Sequence, residues 1–306
     1  MTQPFVRPDV AAFLAAGQTS GDPAINELPV AEARAAIRAM GQALDLPPEP
    51  LAVVRDLACG EIPLRLYDMR ETREAGPLIL YFHGGGFVFG DLDSHDSFCR
   101  FVAARCDLPV LAVDYRLAPE HPFPAFADDA ETVARWAATQ PAALGRVLTG
   151  LVTCGDSAGG HMSILVAQRL GAMPADLPVL AQWAIYPFVG AGRDWPSVRE
   201  LGDGYMLTQS AMDWFDALCA APPLDERYNL LRGPIPPTPL AIQMSGLDPL
   251  RDSGRHYADR ARAVGARVVQ LEAEGMIHGF VNMRGALRSA QQDVEAILAA
   301  GLALLP

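Results

Sequence analysis

One serine stands in the sequence setting that a nucleophile needs. Ser157 lies in the segment Gly155–Gly160 (GDSAGG), between an apolar run over Leu148–Cys154 and a helix-type run that starts at Met162. A strand, a Gly-x-Ser-x-Gly turn and a helix make a nucleophile elbow, whose small neighbours allow the sharp turn that exposes the serine hydroxyl. Ser157 is therefore the candidate nucleophile, and the N–H of Ala158 can face a developing oxyanion.

Such a serine needs a base within hydrogen-bond reach and a third group that orients the base. In a fold with this elbow, the acid and then the histidine follow the serine along the chain. Asp248 follows the predicted strand Leu240–Ser245, and His278 follows the predicted strand Arg267–Leu271. The order Ser157, Asp248, His278 therefore predicts a nucleophile, an acid and a base.

Other acids and histidines compete for these roles. Asp252 lies one turn after Asp248, where it could equally cap the following helix. Asp156 adjoins Ser157, but we expect its side chain to point away. His161 lies on the elbow helix, where we expect it to pack or to form a hydrogen bond. The histidines that follow no late strand are His95, His121 and His256.

A glycine cluster follows another predicted strand. The segment His83–Phe87 (HGGGF) comes directly after the apolar run Leu78–Phe82. Consecutive glycines leave backbone N–H groups unshielded, and two of these groups can point at one oxygen, as in an oxyanion hole. The alternative is an ordinary flexible turn, which becomes the weaker interpretation when a nucleophile elbow is present.

The elements that must position these residues alternate between strand and helix. Eight short strand-type runs predict an α/β fold with a mostly parallel eight-stranded sheet covered by helices on both faces. Ligands of such sheets lie beyond the carboxyl ends of the strands. We assign residues 49–187 and 238–306 to this core.

Two segments fall outside the alternation. Residues 1–48 contain two helical pieces, around Val10–Ala16 and Ala31–Met40, separated at Gly21-Asp22-Pro23. Residues 188–237 are rich in glycine, proline and aromatic residues and contain a predicted helix over Ser210–Ala220. Long insertions in compact folds are often lids, so we expect both segments to form a cap. The alternative is that the aromatic residues of the insertion build a small core of their own.

Composition excludes several function classes. All 24 basic residues are arginine, which removes Schiff-base chemistry and the P-loop lysine. The net charge of −12 disfavours binding to nucleic acid. The five scattered cysteines argue against a disulfide framework and a zinc site, so no metal is expected. The sequence carries no secretory signal or membrane span, which predicts a soluble, cytoplasmic protein.

These motifs together resemble the bacterial hormone-sensitive-lipase family of α/β-hydrolase esterases. The resemblance rests on HGGGF at residues 83–87, DYRLAPE at 114–120, GDSAGG at 155–160, YP at 186–187, DPL at 248–250 and GMIHGF at 275–280. The segments span most of the chain in the family's order. One departure is His161, where the family commonly has asparagine.

The resemblance implies a carboxylesterase that acts on small-molecule esters of short to medium acyl chains through an acyl-enzyme. It implies a triad of Ser157, Asp248 and His278, an α/β-hydrolase fold with a helical cap, no cofactor, and often a homodimer. The oxyanion donors that it implies are the N–H groups of Gly84, Gly85 and Ala158. The residues that we expect to line the acyl or alcohol pocket are Tyr205, Met206, Trp214 and Phe215.

Alternatives on the same residues are a lactonase, an amidase, an acyltransferase or a dehydratase. A different class is a ligand-binding receptor, which arises on this scaffold when catalytic residues are lost. All three triad positions are present here, and this disfavours the receptor.

Overall fold

One central β-sheet forms the framework on which the helices pack. In a computed structural model, which describes residues 4–21 and 23–306, eight strands form one sheet in the order β1-β2-β4-β3-β5-β6-β7-β8. Strand β2 runs antiparallel to both of its neighbours, and the other pairs are parallel. The predicted fold class is therefore confirmed. The strands are β1 (Val53–Cys59), β2 (Ile62–Asp68), β3 (Gly76–Phe82), β4 (Val110–Val113), β5 (Leu148–Asp156), β6 (Val179–Ile185), β7 (Leu240–Leu247) and β8 (Val268–Ile277).

The central strands are almost fully buried, because helices cover both faces of the sheet. Their register brings the carboxyl ends together at one edge: Phe82 pairs with Gly155, and Ile185 pairs with Gln243. The residues that follow β3, β5, β6 and β7 consequently meet at this edge, and all of the predicted site residues of the core come from these loops and from the end of β8.

Helices pack on both faces and form two apolar clusters. These core helices are α3 (Asp96–Cys106), α4 (Ala125–Ala138), α5 (Ala158–Ala172), α8 (Arg251–Ala263) and α9 (Ala290–Leu302). One face of the sheet carries α4, α5 and α8, and the other carries α3 and α9. Helix α3 was not predicted from the sequence. Within residues 4–21 and 23–306, no helix is long and apolar enough to cross a membrane.

The two segments outside the sheet contain the remaining helices, α1 (Pro8–Ser20), α2 (Val30–Leu44), α6 (Pro196–Leu201) and α7 (Gln209–Cys219). Residues 1–3 and the predicted break at Asp22 lie outside the described residues. The side chain of Arg34 on α2 donates to the carbonyls of Val88 and Ala118 in loops at the carboxyl edge. The loop that follows β3, residues 83–90, is called the glycine loop here. On α7, Trp214 and Phe215 contact Phe89 of this loop, and their ring centroids lie 5.7 and 5.2 Å from that of Phe89. Trp214 and Phe215 of the insertion therefore pack on a core loop, whereas Trp195 and Phe188 pack against a small third cluster of Val198, Met212 and Leu250.

Candidate active site

Ser157 lies at a strained turn between β5 and α5. Its φ of 54° and ψ of −115° are a conformation that residues with a side chain rarely adopt. Glycine is required on either side, because a Cβ at Gly159 would lie 1.8 Å from the carbonyl oxygen of Phe82, and a Cβ at Gly155 would lie 2.4 Å from Gly159. The close approach of the elbow helix to β3 thus explains the glycines of the motif.

The predicted acid and base converge on this serine. His278 Nε2 lies 2.8 Å from Ser157 Oγ, and His278 Nδ1 lies 2.6 Å from Asp248 Oδ2. Asp248 directly follows β7 and is fully buried, and its other oxygen accepts a hydrogen bond of 2.8 Å from the N–H of Leu250. The ring of Tyr186 packs on the imidazole of His278 with 4.6 Å between centroids. A carboxylate, an imidazole and a hydroxyl therefore form one hydrogen-bonded line.

The competing residues have other partners. Asp252 accepts a hydrogen bond of 2.9 Å from the N–H of Ser197, at the start of α6. His161 is buried among aromatic rings, and its two ring nitrogens lie 3.2 and 2.9 Å from the carbonyls of Phe188 and Arg227. Burial lowers the pKa of His161 to about 4, although the two nearby carbonyls act in the opposite direction. None of these groups takes part in the line through Ser157.

The glycine loop requires one correction. The N–H of Gly84 donates to Asp156 Oδ1 at 2.8 Å, so it is not free to bind an oxyanion, and that expectation is wrong for Gly84. Among the described hydrogen bonds, the N–H groups of Gly85 and Gly86 donate none. The N–H of Ala158 opens helix α5 and has no partner within the helix. Gly86, which was not among the expected donors, lines both cavities at Ser157.

Asp156 points beneath the glycine loop. Besides Gly84, its carboxylate accepts from the hydroxyls of Tyr81 at 2.6 Å and Tyr186 at 3.4 Å. Burial raises the pKa of the Asp156 carboxyl, but the nearby His95 and the Tyr81 hydroxyl outweigh burial, and the pKa lies below its ordinary value. This buried carboxylate therefore holds the start of the glycine loop and contacts the tyrosine that packs on His278.

Two cavities open at Ser157, with volumes of about 150 and 40 Å³. Of the four predicted pocket residues, Met206 lines the larger cavity and Phe215 lines both. Tyr205 and Trp214 are not among the described residues that line either cavity. Tyr205 packs against the core, and the ring of Trp214 contacts that of Phe89 with an angle of 36° between the ring planes. The apolar and aromatic lining residues that were not predicted as site residues are Ile25, Ile37, Met40, Phe87, Phe89, Phe188, Leu207, Ala211, Met212, Tyr228, Leu250 and Met283.

A larger groove of about 700 Å³ lies at the opposite edge of the sheet, beside the starts of β3 and β5, and contains none of the residues of the Ser157 site. Within the part of the chain that the structure describes, no group of three or more His, Cys, Asp or Glu side chains is placed to hold a metal ion.

Comparison with known proteins agrees with this geometry. Residues 79–282 match a family model described as alpha/beta hydrolase fold. The chain is 38% identical over 277 residues to the esterase LipI of Mycobacterium tuberculosis, covering 84% of this chain and 85% of that one. It is 35% identical to an ethyl acetate hydrolase of Pseudomonas putida, covering 78% and 77%.

Solved structures give the same result. An ester hydrolase from the metagenome of Lake Arreo, in complex with a derivative of bipyridine phosphonate, superposes with a TM-score of 0.91 at 32% identity, covering 98% of this chain and 99% of that chain. A hyperthermophilic esterase from the archaeon Pyrobaculum calidifontis gives 0.89 at 30% identity, with coverage of 98% and 99%. Together with the serine elbow and its convergent imidazole and carboxylate, these matches place the chain in the hormone-sensitive-lipase family of α/β-hydrolase esterases, as a serine carboxylic ester hydrolase.

Proposed function

We propose that this enzyme hydrolyses carboxylic esters of short to medium acyl chains with Ser157 as nucleophile, His278 as general base and Asp248 as the group that orients the histidine. The observation that carries this proposal is the 2.8 Å contact between Ser157 Oγ and His278 Nε2, whose other ring nitrogen lies 2.6 Å from Asp248. A serine held at a strained elbow beside an oriented imidazole is what acyl transfer requires.

The reaction proceeds in two halves. As Ser157 Oγ attacks the ester carbonyl carbon, His278 Nε2 takes the hydroxyl proton, and the carbonyl oxygen becomes an oxyanion. His278 then gives the proton to the leaving alcohol oxygen, which leaves an acyl-enzyme. Water attacks the acyl-enzyme by the same sequence and releases the acid. Asp248 accepts the hydrogen bond from Nδ1 and stabilises the imidazolium that forms in each half.

The oxyanion is bound in this proposal by the N–H groups of Gly85, Gly86 and Ala158. This set differs from the family-based expectation because the N–H of Gly84 is committed to Asp156. The N–H at the start of α5 also lies at the positive end of a helix dipole, which favours negative charge.

The segments 1–48 and 188–237 form the cap in this proposal, and 49–187 with 238–306 form the hydrolase core. Both cap segments contribute side chains to the larger cavity at Ser157: Ile37 and Met40 come from the first, and Leu207 and Phe215 from the second. The homodimer and the cytoplasmic location stay predictions from the sequence.

The test is hydrolysis of 4-nitrophenyl esters from acetate to palmitate, with Ser157→Ala measured beside the wild type. We expect the wild type to turn over the short esters and the variant to be inactive. Activity of Ser157→Ala at the wild-type rate would refute the assignment. Product analysis in the presence of an added alcohol distinguishes hydrolysis from acyl transfer.

A further inference from the structure

The two cavities at Ser157 differ in size and meet at a shared boundary. Both cavities are lined by Gly86, Ser157, Leu207 and Phe215. The ring of Phe215 lies so close to the glycine loop that a Cβ at Gly86 would approach it to 2.5 Å. An ester whose carbonyl carbon lies at Ser157 Oγ is therefore divided at this boundary, with one substituent in each cavity.

The position of His278 decides which substituent enters which cavity. His278 lines the larger cavity and is not among the described residues that line the smaller one. The alcohol oxygen must receive its proton from His278 Nε2, so the leaving alcohol lies on the side of His278. Ala158, in contrast, lines only the smaller cavity, and the acyl chain extends to that side.

Building on the proposed function, we propose that the smaller cavity binds the acyl chain and the larger cavity binds the alcohol. The enzyme is accordingly selective for esters of short acids with large apolar alcohols. This assignment decides between the acyl and alcohol roles that the sequence left open for the cap residues.

The volumes set the expected chain lengths. A water-sized group needs about 10–15 Å³ of such space, so the smaller cavity of about 40 Å³ holds about three atoms beyond the carbonyl carbon, as in a butyryl group. By the same measure, the larger cavity of about 150 Å³ holds on the order of ten atoms or more, enough for an octyl or aryl alcohol.

Polar and charged side chains also line the smaller cavity and further restrict the length of an apolar acyl chain. Asp216 accepts hydrogen bonds of 2.5 Å from both Tyr228 and Arg193, and all three line this cavity. A longer apolar acyl chain would have to displace Arg193 or Tyr228 from Asp216. The half-buried carboxylate would then lack a partner, which costs binding free energy. The buried Met212 belongs to the same wall and has no contact with the larger cavity among its described lining residues.

The experiment uses two series of esters with the full-length enzyme. The acyl series keeps 4-nitrophenol and varies the acid from acetate to octanoate. The alcohol series keeps acetate and varies the alcohol from ethyl to octyl, followed by titration of the released acid. Met212→Ala enlarges the smaller cavity, and Met40→Ala is the matched control, since it removes the same atoms from the larger one.

In the wild type, we expect kcat/KM to rise by about fourfold per methylene up to butyrate, and to fall at least about tenfold by octanoate. In the alcohol series it keeps rising towards octyl acetate. Met212→Ala shifts the acyl limit by about three atoms, because methionine has about three heavy atoms beyond Cβ, and leaves the alcohol series unchanged. Met40→Ala alters the alcohol series and leaves the acyl limit in place.

The opposite pairing, in which Met212→Ala alters the alcohol series and Met40→Ala alters the acyl limit, would overturn the assignment. Wild-type enzyme that hydrolyses octanoate as well as butyrate would also overturn it, and this result needs no variant to fold. Both outcomes leave the proposed hydrolysis intact. Hydrolysis that survives in Ser157→Ala would instead contradict the proposed function.

Discussion

Asp156 is the residue whose removal should damage both the fold and the reaction. Its fully buried carboxylate accepts from the Tyr81 hydroxyl at 2.6 Å and from the Gly84 N–H at 2.8 Å. Asp156→Ala leaves both donors buried and unpaired, at about 1–3 kcal/mol each. We therefore expect the free energy of unfolding to fall by about 2–6 kcal/mol. The loop that carries Gly85 and Gly86 also loses its anchor, and loss of one oxyanion donor lowers kcat by about 10²–10³-fold.

Asp156→Asn is the matched control, because it keeps one oxygen for Tyr81 and Gly84 and can place its amide N–H₂ against the hydroxyl oxygen of Tyr186. Its loss of stability should be close to 1 kcal/mol, the typical value of one hydrogen bond. The assays are urea denaturation at pH 7 and steady-state kcat with 4-nitrophenyl butyrate. Wild-type kcat and stability in Asp156→Ala, or equal losses of stability in the Asn and Ala variants, would contradict this role of Asp156.

Three further changes test other parts of the account. Gly86→Ala adds a Cβ that would meet the ring of Phe215 at 2.5 Å, at a φ of +60°, and should lower kcat by about 10²-fold. Adding Phe215→Ala removes the clash but not the backbone strain, so the recovery should be only partial, and an unchanged rate in Gly86→Ala would contradict this prediction. Asp45→Ala leaves the buried Arg284 guanidinium without its carboxylate partner and should reduce the free energy of unfolding by about 3–5 kcal/mol. A loss below about 1 kcal/mol in urea denaturation would contradict a stabilising role of this ion pair. Burial lowers the pKa of His161 from 6.5 to about 4. Between pH 6.5 and about 4 the unfolded chain therefore binds a proton that the folded protein does not, and stability is lost as the pH falls through this range. His161→Asn should remove about 3 kcal/mol of that acid dependence, measured by denaturation at pH 7 and pH 4, and an unchanged pH dependence would refute it.

Much of the site was predictable because each of its main residues lies in a short motif of neighbouring residues. The elbow serine, the loop acid and the loop histidine each follow an apolar run, and parallel strands bring such loops to one edge. The register between β5, β6, β7 and β8 then places Ser157, Asp248 and His278 within hydrogen-bond distance. The three helices predicted outside the core also match α1, α2 and α7, whose ends lie within a few residues of the expected ones.

The errors concern contacts between distant segments. The sequence could not reveal that the Asp156 side chain turns beneath the glycine loop and occupies the N–H of Gly84. The sequence also could not distinguish Trp214, whose ring contacts Phe89, from its neighbour Phe215, which lines both cavities, because the difference depends on how α7 packs on the core. Met212 faces the smaller cavity for the same reason.

The central claim is that Ser157 is the nucleophile and that His278 activates it. The most direct measurement is labelling with a 4-nitrophenyl alkylphosphonate, followed by digestion and mass spectrometry, on the wild type and on His278→Ala. We expect one phosphonyl group on the peptide that contains Ser157 in the wild type, and labelling slowed by several orders of magnitude in the variant. A label on a different residue, or undiminished ester hydrolysis by fully labelled enzyme, would show that Ser157 is not the nucleophile.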